Sequence, residues 1–288
     1  MTATRWITED EVRARLDLRI AIDAVEAALR READGAARTM GKTHVAWGDG
    51  HTLHALGGVD GDLVGTKTWA HTAGGAEPLL VLWDAETGRR RAVIEAFALG
   101  QLRTAAMSGV ATRLLADPAA HTVAVIGSGK QAGPQVDALR AVLAVREVRV
   151  FSPSAERRDA FAERVGAVAC ATVAEAVAGA AVVTTATRAT TPFLSSEMIG
   201  TAAHINAIGA ITPERAELAP DLVDRALVVT DSVESAMRLA REVADRDLRP
   251  LSSMLVAGER PAADVTIFKA MGIGLADVAL GRAVLEAG

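Results

Sequence analysis

The spacing of apolar and polar positions changes period twice along the chain, and each change marks a change of architecture. Thr8, followed by Glu9, Asp10 and Glu11, has the signature of a helix start, and apolar residues recur at helical spacing over 18–31 before Gly35 ends the run. From Lys42 to Glu95 the period drops to two. Segments 43–47 and 52–56 flank Gly48-Asp49-Gly50, and segments 79–84 and 90–94 flank Glu86-Thr87-Gly88, so both pairs read as hairpins, with a further strand at 63–69. This is an antiparallel sheet. A long helix over 96–116 stops at Asp117-Pro118. Beyond it, short β-branched runs at 122–126, 148–151, 167–171, 181–185, 204–208 and 227–230 alternate with helical segments, the pattern of strands buried on both faces of a parallel sheet. After Pro261 the chain reads as helical over 264–286, interrupted by Gly272 and Gly274. The predicted fold class is α/β. A doubly wound parallel sheet domain (119–261) is inserted into a second, α+β domain built from 1–118 and about 262–288.

The densest signal lies at the start of the inserted domain. The strand 122–126 runs into Gly127-Ser-Gly129-Lys-Gln131-Ala132, a G-x-G-x-x-A spacing, and Val136 and Leu139 continue at helical period. Gly127 permits the tight turn, Gly129 lets the backbone approach a pyrophosphate, and Ala132 allows close helix–strand packing. The free N–H groups of the helix start then bind the anion. A second strand at 148–151 closes the unit, as this Rossmann motif requires. Its tip carries Ser152 where an acidic residue would hold the ribose hydroxyls of NAD. Ser154 opens a helix with Arg157 and Arg158 in its first turn, a set suited to a 2′-phosphate, so NADP(H) is favoured over NAD(H) although Glu156 shares that turn. Gln131 in the glycine loop and Thr187 after the strand 181–185 complete the candidate cofactor-binding set.

Composition narrows the remaining choices. Half the residues are hydrophobic but only 3% are aromatic, so the cores are built from Ala, Val, Leu and Ile. Net charge is −5 with dispersed arginines, which argues against nucleic acid. No apolar run approaches the ~20 residues of a membrane span, and the charged N-terminus is unlike a signal peptide, so a cytoplasmic protein is expected. The single cysteine, Cys170, excludes an internal disulfide and reads as a buried strand residue. There is no tyrosine, so no Tyr acid can act. The six histidines show no ligand spacing, and no metal is expected. His54 and His71 fall in the sheet region and could face a substrate, although a structural role is the commoner one for each.

Two basic residues stand out. Period two places Leu63, Gly65, Lys67 and Trp69 on one strand face, so Lys67 lines either a cavity or a solvated sheet edge. Arg103 shares a helical stripe with Leu99, Ala106, Val110 and Leu114 and needs an anion, either a structural carboxylate or a substrate. Arg38 by itself reads as a surface residue, and Arg89, Arg90 and Arg91 as turn residues.

Several stretches together resemble the ornithine cyclodeaminase/mu-crystallin family. They are Gly65-Thr66-Lys67, the Trp-Asp-Ala-Glu-Thr-Gly of 83–88, the Leu-Arg-Thr-Ala-Ala of 102–106, 123–132, the Ile-Asn-Ala-Ile-Gly-Ala of 205–210 with Pro213 and Glu217-Leu218, and the Phe-Lys-Ala-Met-Gly of 268–272. The resemblance implies a Rossmann domain inserted into a substrate-binding and dimerisation domain, and hence a homodimer. It implies that Lys67 is an active-site lysine, that Arg103 holds a substrate carboxylate with Thr104 beside the cofactor, and that Arg38 is a second carboxylate-binding arginine. The implied activity is that of an NAD(P)H-dependent imine (ketimine) reductase or amino-acid dehydrogenase acting on a small α-imino or α-amino carboxylate. A cyclodeaminase that eliminates ammonia and a non-catalytic NADP-bound protein are the alternatives. Ornithine cyclodeaminases carry an aspartate where this chain has Ile211, and Ala270 replaces the usual serine of Phe-Lys-Ser.

Overall fold

The computed structural model describes residues 4–288. The chain divides into two units, Met1–Met107 with Gly272–Gly288, and Ser108–Met271.

The first unit begins with β1 (Arg5–Ile7), α1 (Glu9–Arg15) and α2 (Leu18–Ala33). Thr8 caps α1 through a capping box with Glu11. A meander follows: β2 (Ala37–Trp47), β3 (His51–Asp60), β4 (Leu63–His71), β5 (Leu79–Asp84) and β6 (Arg90–Glu95). These five strands pair antiparallel, and β1 adds in parallel beside β6. Then comes α3 (Phe97–Leu115). Its free N-terminal amides are met by the Glu9 carboxylate, which accepts hydrogen bonds from Phe97 N at 2.5 Å and Ala98 N at 2.8 Å.

Strand alternation gives the sheet two unlike faces. Leu56, Leu63, Leu80, Leu82 and Ile94 are buried on one, whereas Val45, Leu53 and Val59 lie exposed on the other. One irregularity decides which basic residues share the buried face. Met40 pairs with Gly57 but Thr43 pairs with Ala55, so β2 advances three residues against two of β3. The extra residue is a β-bulge, and it inverts the alternation. Arg38, opposite Val59, points to the exposed face, whereas Lys42 falls on the face of Leu56 and Lys67.

The second unit contains β7 (Thr122–Ile126), α4 (Ala132–Val142), β8 (Glu147–Phe151), α5 (Ala155–Val165), β9 (Val168–Ala169), α6 (Val173–Val177) and β10 (Val182–Thr185). It continues through β11 (Ala203–Ala207), α7 (Pro220–Asp224), β12 (Ala226–Thr230), α8 (Val233–Leu239), β13 (Leu248–Pro250), α9 (Leu251–Ala257) and β14 (Val265–Lys269). All eight strands are parallel, in the order β13-β12-β14-β11-β10-β7-β8-β9. This is the expected doubly wound sheet. The expectation of helix from residue 264 is corrected: 265–269 is a fully buried strand between β11 and β12. Its Val-Thr-Ile-Phe run is β-branched and aromatic, and burial on both faces removes the alternation that would have marked it. Because β14 belongs to this sheet, the division falls after Met271 rather than at 261. The other division lies inside α3, after Met107, rather than at Asp117-Pro118. A helix with no polar face carries no mark in its sequence of where one core gives way to the next.

The last helix, α10 (Gly274–Glu286), returns to the first unit and packs on β3, β4 and α2.

Candidate active site

On the buried face of the first unit, Lys67 on β4 donates to Asp277 Oδ1 on α10, and both side chains are buried. Arg103 Nε on α3 lies 3.7 Å from the same oxygen. Two glycines make room for this cluster. A Cβ on Gly100 would lie 3.4 Å from Lys67 Nζ, and one on Gly272 would fall 2.6 Å from Arg103 Nη1. Gly272 also sits at φ +81°, where glycine carries no steric penalty. Lys67 Nζ is 5.4 Å from the centre of the Trp69 ring. His54 stacks on that ring at 4.8 Å and on His44 at 5.5 Å, so a ladder of rings runs across β4, β3 and β2 beyond the lysine.

Burial lowers the Lys67 pKa from the ordinary lysine value, and Arg103 and Lys42 push the same way while Asp277 opposes them. The Lys42 amine is lowered by burial and by Arg103, again against Asp277. His54 is lowered by burial, then by Lys42, His44 and His71. Its Nε2 contacts Thr52 Oγ1 at 2.8 Å, its Nδ1 is buried without a partner among the described residues, and His71 is exposed. Three cations thus surround one carboxylate. Such a cluster could bind an anion, and it holds an amine that gives up its proton more readily than an ordinary lysine.

Arg38 is not part of it. The bulge in β2 turns Arg38 to the opposite face, and Lys42 takes the place beside Arg103. Asp277 and Lys42 are the two site residues that sequence reasoning did not reach. A weak signal for Lys42 exists. Only four of the 31 basic residues are lysines: Lys42, Lys67, Lys130 and Lys269. An amine shifts its pKa on burial far more readily than a guanidinium, so a lysine in a chain that otherwise uses arginine is a candidate for such a position. No local signal identifies Asp277 within an apolar terminal helix.

The second unit carries a cleft of about 1030 Å³ at the C-terminal ends of β7, β8, β10 and β11. Gly127, Gly129, Gln131, Ser152, Ser154, Arg157 and Thr187 all line it. Ala132 instead is buried in the core with Val123 and Val125, where it allows α4 to pack closely. Thr104 belongs to the first unit and donates back to Gly100 O at 3.1 Å. The cleft suits a dinucleotide on several counts. Gly127 has φ +121°, and a Cβ there would lie 2.6 Å from Ala186 O. A Cβ on Gly129 would meet only open space, no side chain caps α4, and Gln131 Oε1 is buried without a protein partner among the described residues. At the tip of β8, Ser152 Oγ and Ser128 Oγ are 2.9 Å apart, and Ser154 caps α5. Arg158 is drawn aside by Asp159 at 2.8 Å, which leaves Arg157 as the member of that pair that lines the cleft. The lining includes Lys130, Arg157, Arg188 and Arg215 and no carboxylate. Cys170 is buried, and its thiol pKa is raised by burial, so it has no thiolate character to offer.

Buried acids hold the cleft in shape. Glu217 accepts hydrogen bonds from Thr185 Oγ1 (2.9 Å), Thr187 N and Oγ1 (both 2.7 Å), Gly209 N (2.9 Å) and Ala210 N (3.2 Å), tying the ends of β10 and β11 together. Its own N–H donates to Glu242 at 2.7 Å, and Glu242 pairs with fully buried Lys269 at 2.6 Å.

A cleft suited to a dinucleotide and a buried amine among further cations are equipment that a nicotinamide-dependent oxidoreductase of carbon–nitrogen bonds can use. Comparison with known proteins agrees. The model of the ornithine cyclodeaminase/mu-crystallin family matches residues 3–287, and the chain belongs to that family. It is 33% identical to the ketimine reductase mu-crystallin of Mus musculus over 213 residues, 72% of this chain and 68% of that protein. Among solved structures, it resembles the iminosuccinate reductase of Paracoccus denitrificans in complex with NAD+ (27% identity, TM-score 0.91, 99% and 96% of the two chains). An archaeal alanine dehydrogenase dimer with bound NAD is equally similar (28% identity, TM-score 0.89, 99% and 95%).

Proposed function

We propose that the protein is an NADPH-dependent reductase of small α-imino carboxylates, reversible towards the α-amino acid. The observation that carries this reading is the cluster of Lys67, Lys42 and Arg103 around Asp277, which offers cations for a carboxylate and an amine of lowered pKa for a proton. Arg103 and Lys42 hold the substrate carboxylate by charge-assisted hydrogen bonds. Lys67 Nζ supplies the proton that the nitrogen takes up as the C=N bond becomes C–N, and in the oxidative direction removes it. The cleft of the second unit would hold the cofactor, whose chemistry when bound would be hydride transfer to the imine carbon. The four cations of the cleft and Ser152 at the strand tip support NADP(H) over NAD(H), because a 2′-phosphate finds positive charge and no acid there.

Ile211, which lines the cleft, speaks against cyclodeamination of ornithine. An isoleucine cannot hold the substrate's distal ammonium or manage its proton during ring closure. The protein also acts as a homodimer in this reading. Trp6, Val45, Leu53 and Val59 are 39–58% exposed on the outer face of the first unit's sheet, and a second copy is the natural cover for such a surface. Light scattering should show two chains, and Leu53→Glu one.

The activity is tested by following NADPH with pyrroline-2-carboxylate, piperideine-2-carboxylate and the imines formed from 2-oxo acids and ammonia. Consumption with at least one is expected. Proline formed from ornithine and NAD at a comparable rate would overturn the assignment.

A further inference from the structure

Asp277 is the one carboxylate among the described residues of a cluster of three cations. It sits on α10, whose neighbouring positions are apolar and buried: Leu275, Ala276, Val278 and Ala279. Its side chain has no exposure, Oδ1 accepts from Lys67, and Oδ2 is buried without a hydrogen-bond partner among the described residues. An ionised carboxylate with an orphan oxygen is costly unless positive charge stabilises it. The groups that face Lys67 from the surrounding elements are Lys42 on β2, Arg103 on α3 and Asp277 on α10. From β3 and β5, Leu56 and Leu80 stand opposite it and are apolar. His54 and Trp69 close the far side with rings.

We propose that Asp277 is the positioning residue that keeps the proton on Lys67 and aims its amine. Without it, a buried ammonium would stand between two other cations and shed its proton at rest. The lysine would then be neutral when the imine arrives and would have no proton to deliver. With it, Lys67 stays charged until the imine nitrogen draws the proton off, and the resulting neutral amine remains hydrogen-bonded to Oδ1, ready to be reprotonated. The assignment of Lys67 as proton donor rests on the reductase reading, but the charge coupling between Lys67 and Asp277 does not.

The chain's four lysines make a direct test practical. Lysine carrying ¹³C at Cε gives four signals, assigned by substituting Lys42, Lys67 and Lys130 in turn, and titrated by NMR in the absence of substrate. Asp277→Asn should move the Lys67 midpoint down by about 1–3 pH units, the usual effect of losing an adjacent opposite charge. Lys130 and Lys269 should stay where they are. The basic limb of kcat/KM for the imine should move with Lys67, dinucleotide affinity should be unchanged, and Asp277→Asn should add little to the loss already caused by Lys67→Met. Asp277→Ser serves as a second variant should the amide disturb packing. A Lys67 midpoint that stays put in either variant overturns the proposal, as does a rate loss with an unmoved pH limb. Failure of every imine to consume NADPH would defeat the reductase reading alone, because the NMR midpoint still reports on Asp277.

Discussion

The two units hold their chemistry in opposite ways. The dinucleotide cleft is made largely of backbone: glycine turns, an uncapped helix end, and strand tips tied together by Glu217. Such a site is local. Each of its parts is a short run of neighbouring residues at the end of one strand, and its charge is diffuse and solvent-facing. The cluster around Asp277 is made of side chains from β2, β4, α3 and α10, brought together across 235 residues, with a single carboxylate among the cations. Removing one member of a backbone site weakens it by degrees. Removing one charge from a buried cluster leaves the others uncompensated.

The largest expected effect tests that contrast directly. Lys67→Met should reduce kcat by about 10²–10⁴-fold, as for loss of one acid–base group, with NADPH affinity by fluorescence titration unchanged. A matching loss of NADPH affinity would show that the lysine also serves the cleft and would blur the contrast.

Next is the buried pair behind the cleft. Lys269 and Glu242 are 0% and 2% exposed, so Lys269→Met leaves a buried carboxylate unpaired and should cost about 3–5 kcal/mol in urea unfolding. A change below about 1 kcal/mol would mean that the donors of Glu217 and Leu218 suffice for Glu242.

The second unit also has a titrating core. His204 is fully buried between Thr266 Oγ1 (2.9 Å) and Asn206 Oδ1 (3.2 Å), and Asn206 in turn donates to Thr112 Oγ1 at 2.9 Å. Burial pushes its pKa down from 6.5 to about 4. The folded protein therefore binds fewer protons than the unfolded chain between these two values, and stability should fall as pH drops from 6.5 towards 4, by on the order of 3 kcal/mol. His204→Gln should flatten that slope in thermal unfolding. An unchanged slope would place the acid sensitivity elsewhere.

The smallest effect belongs to the exposed rim of the cleft. Arg157→Ala should weaken NADPH roughly fivefold to tenfold and NADH much less, since the contact is one solvated charge-assisted pair. Equal weakening of both would show that Arg157 meets the pyrophosphate rather than a 2′-phosphate.

Much of this molecule was determined by sequence alone, and the reason is range. The hairpins around Gly48–Gly50 and Glu86–Gly88, the strand of residues 122–126, the glycine loop and the face shared by Gly65, Lys67 and Trp69 depend on residues at most a few positions apart, so their patterns survive in one dimension. Tertiary structure alone decided the rest. An extra residue in β2, invisible in its composition, turned Arg38 outward and Lys42 inward. Burial on both faces erased the alternation that would have shown 265–269 to be a strand. The pairing of Lys67 with Asp277 joins residues 210 positions apart, and only the packing of α10 on the sheet, through bare apolar contact, specifies which helical residue meets the amine. Hydrophobic burial is non-directional, so a sequence can state that a helix will be buried without stating which of its residues will face the chemistry.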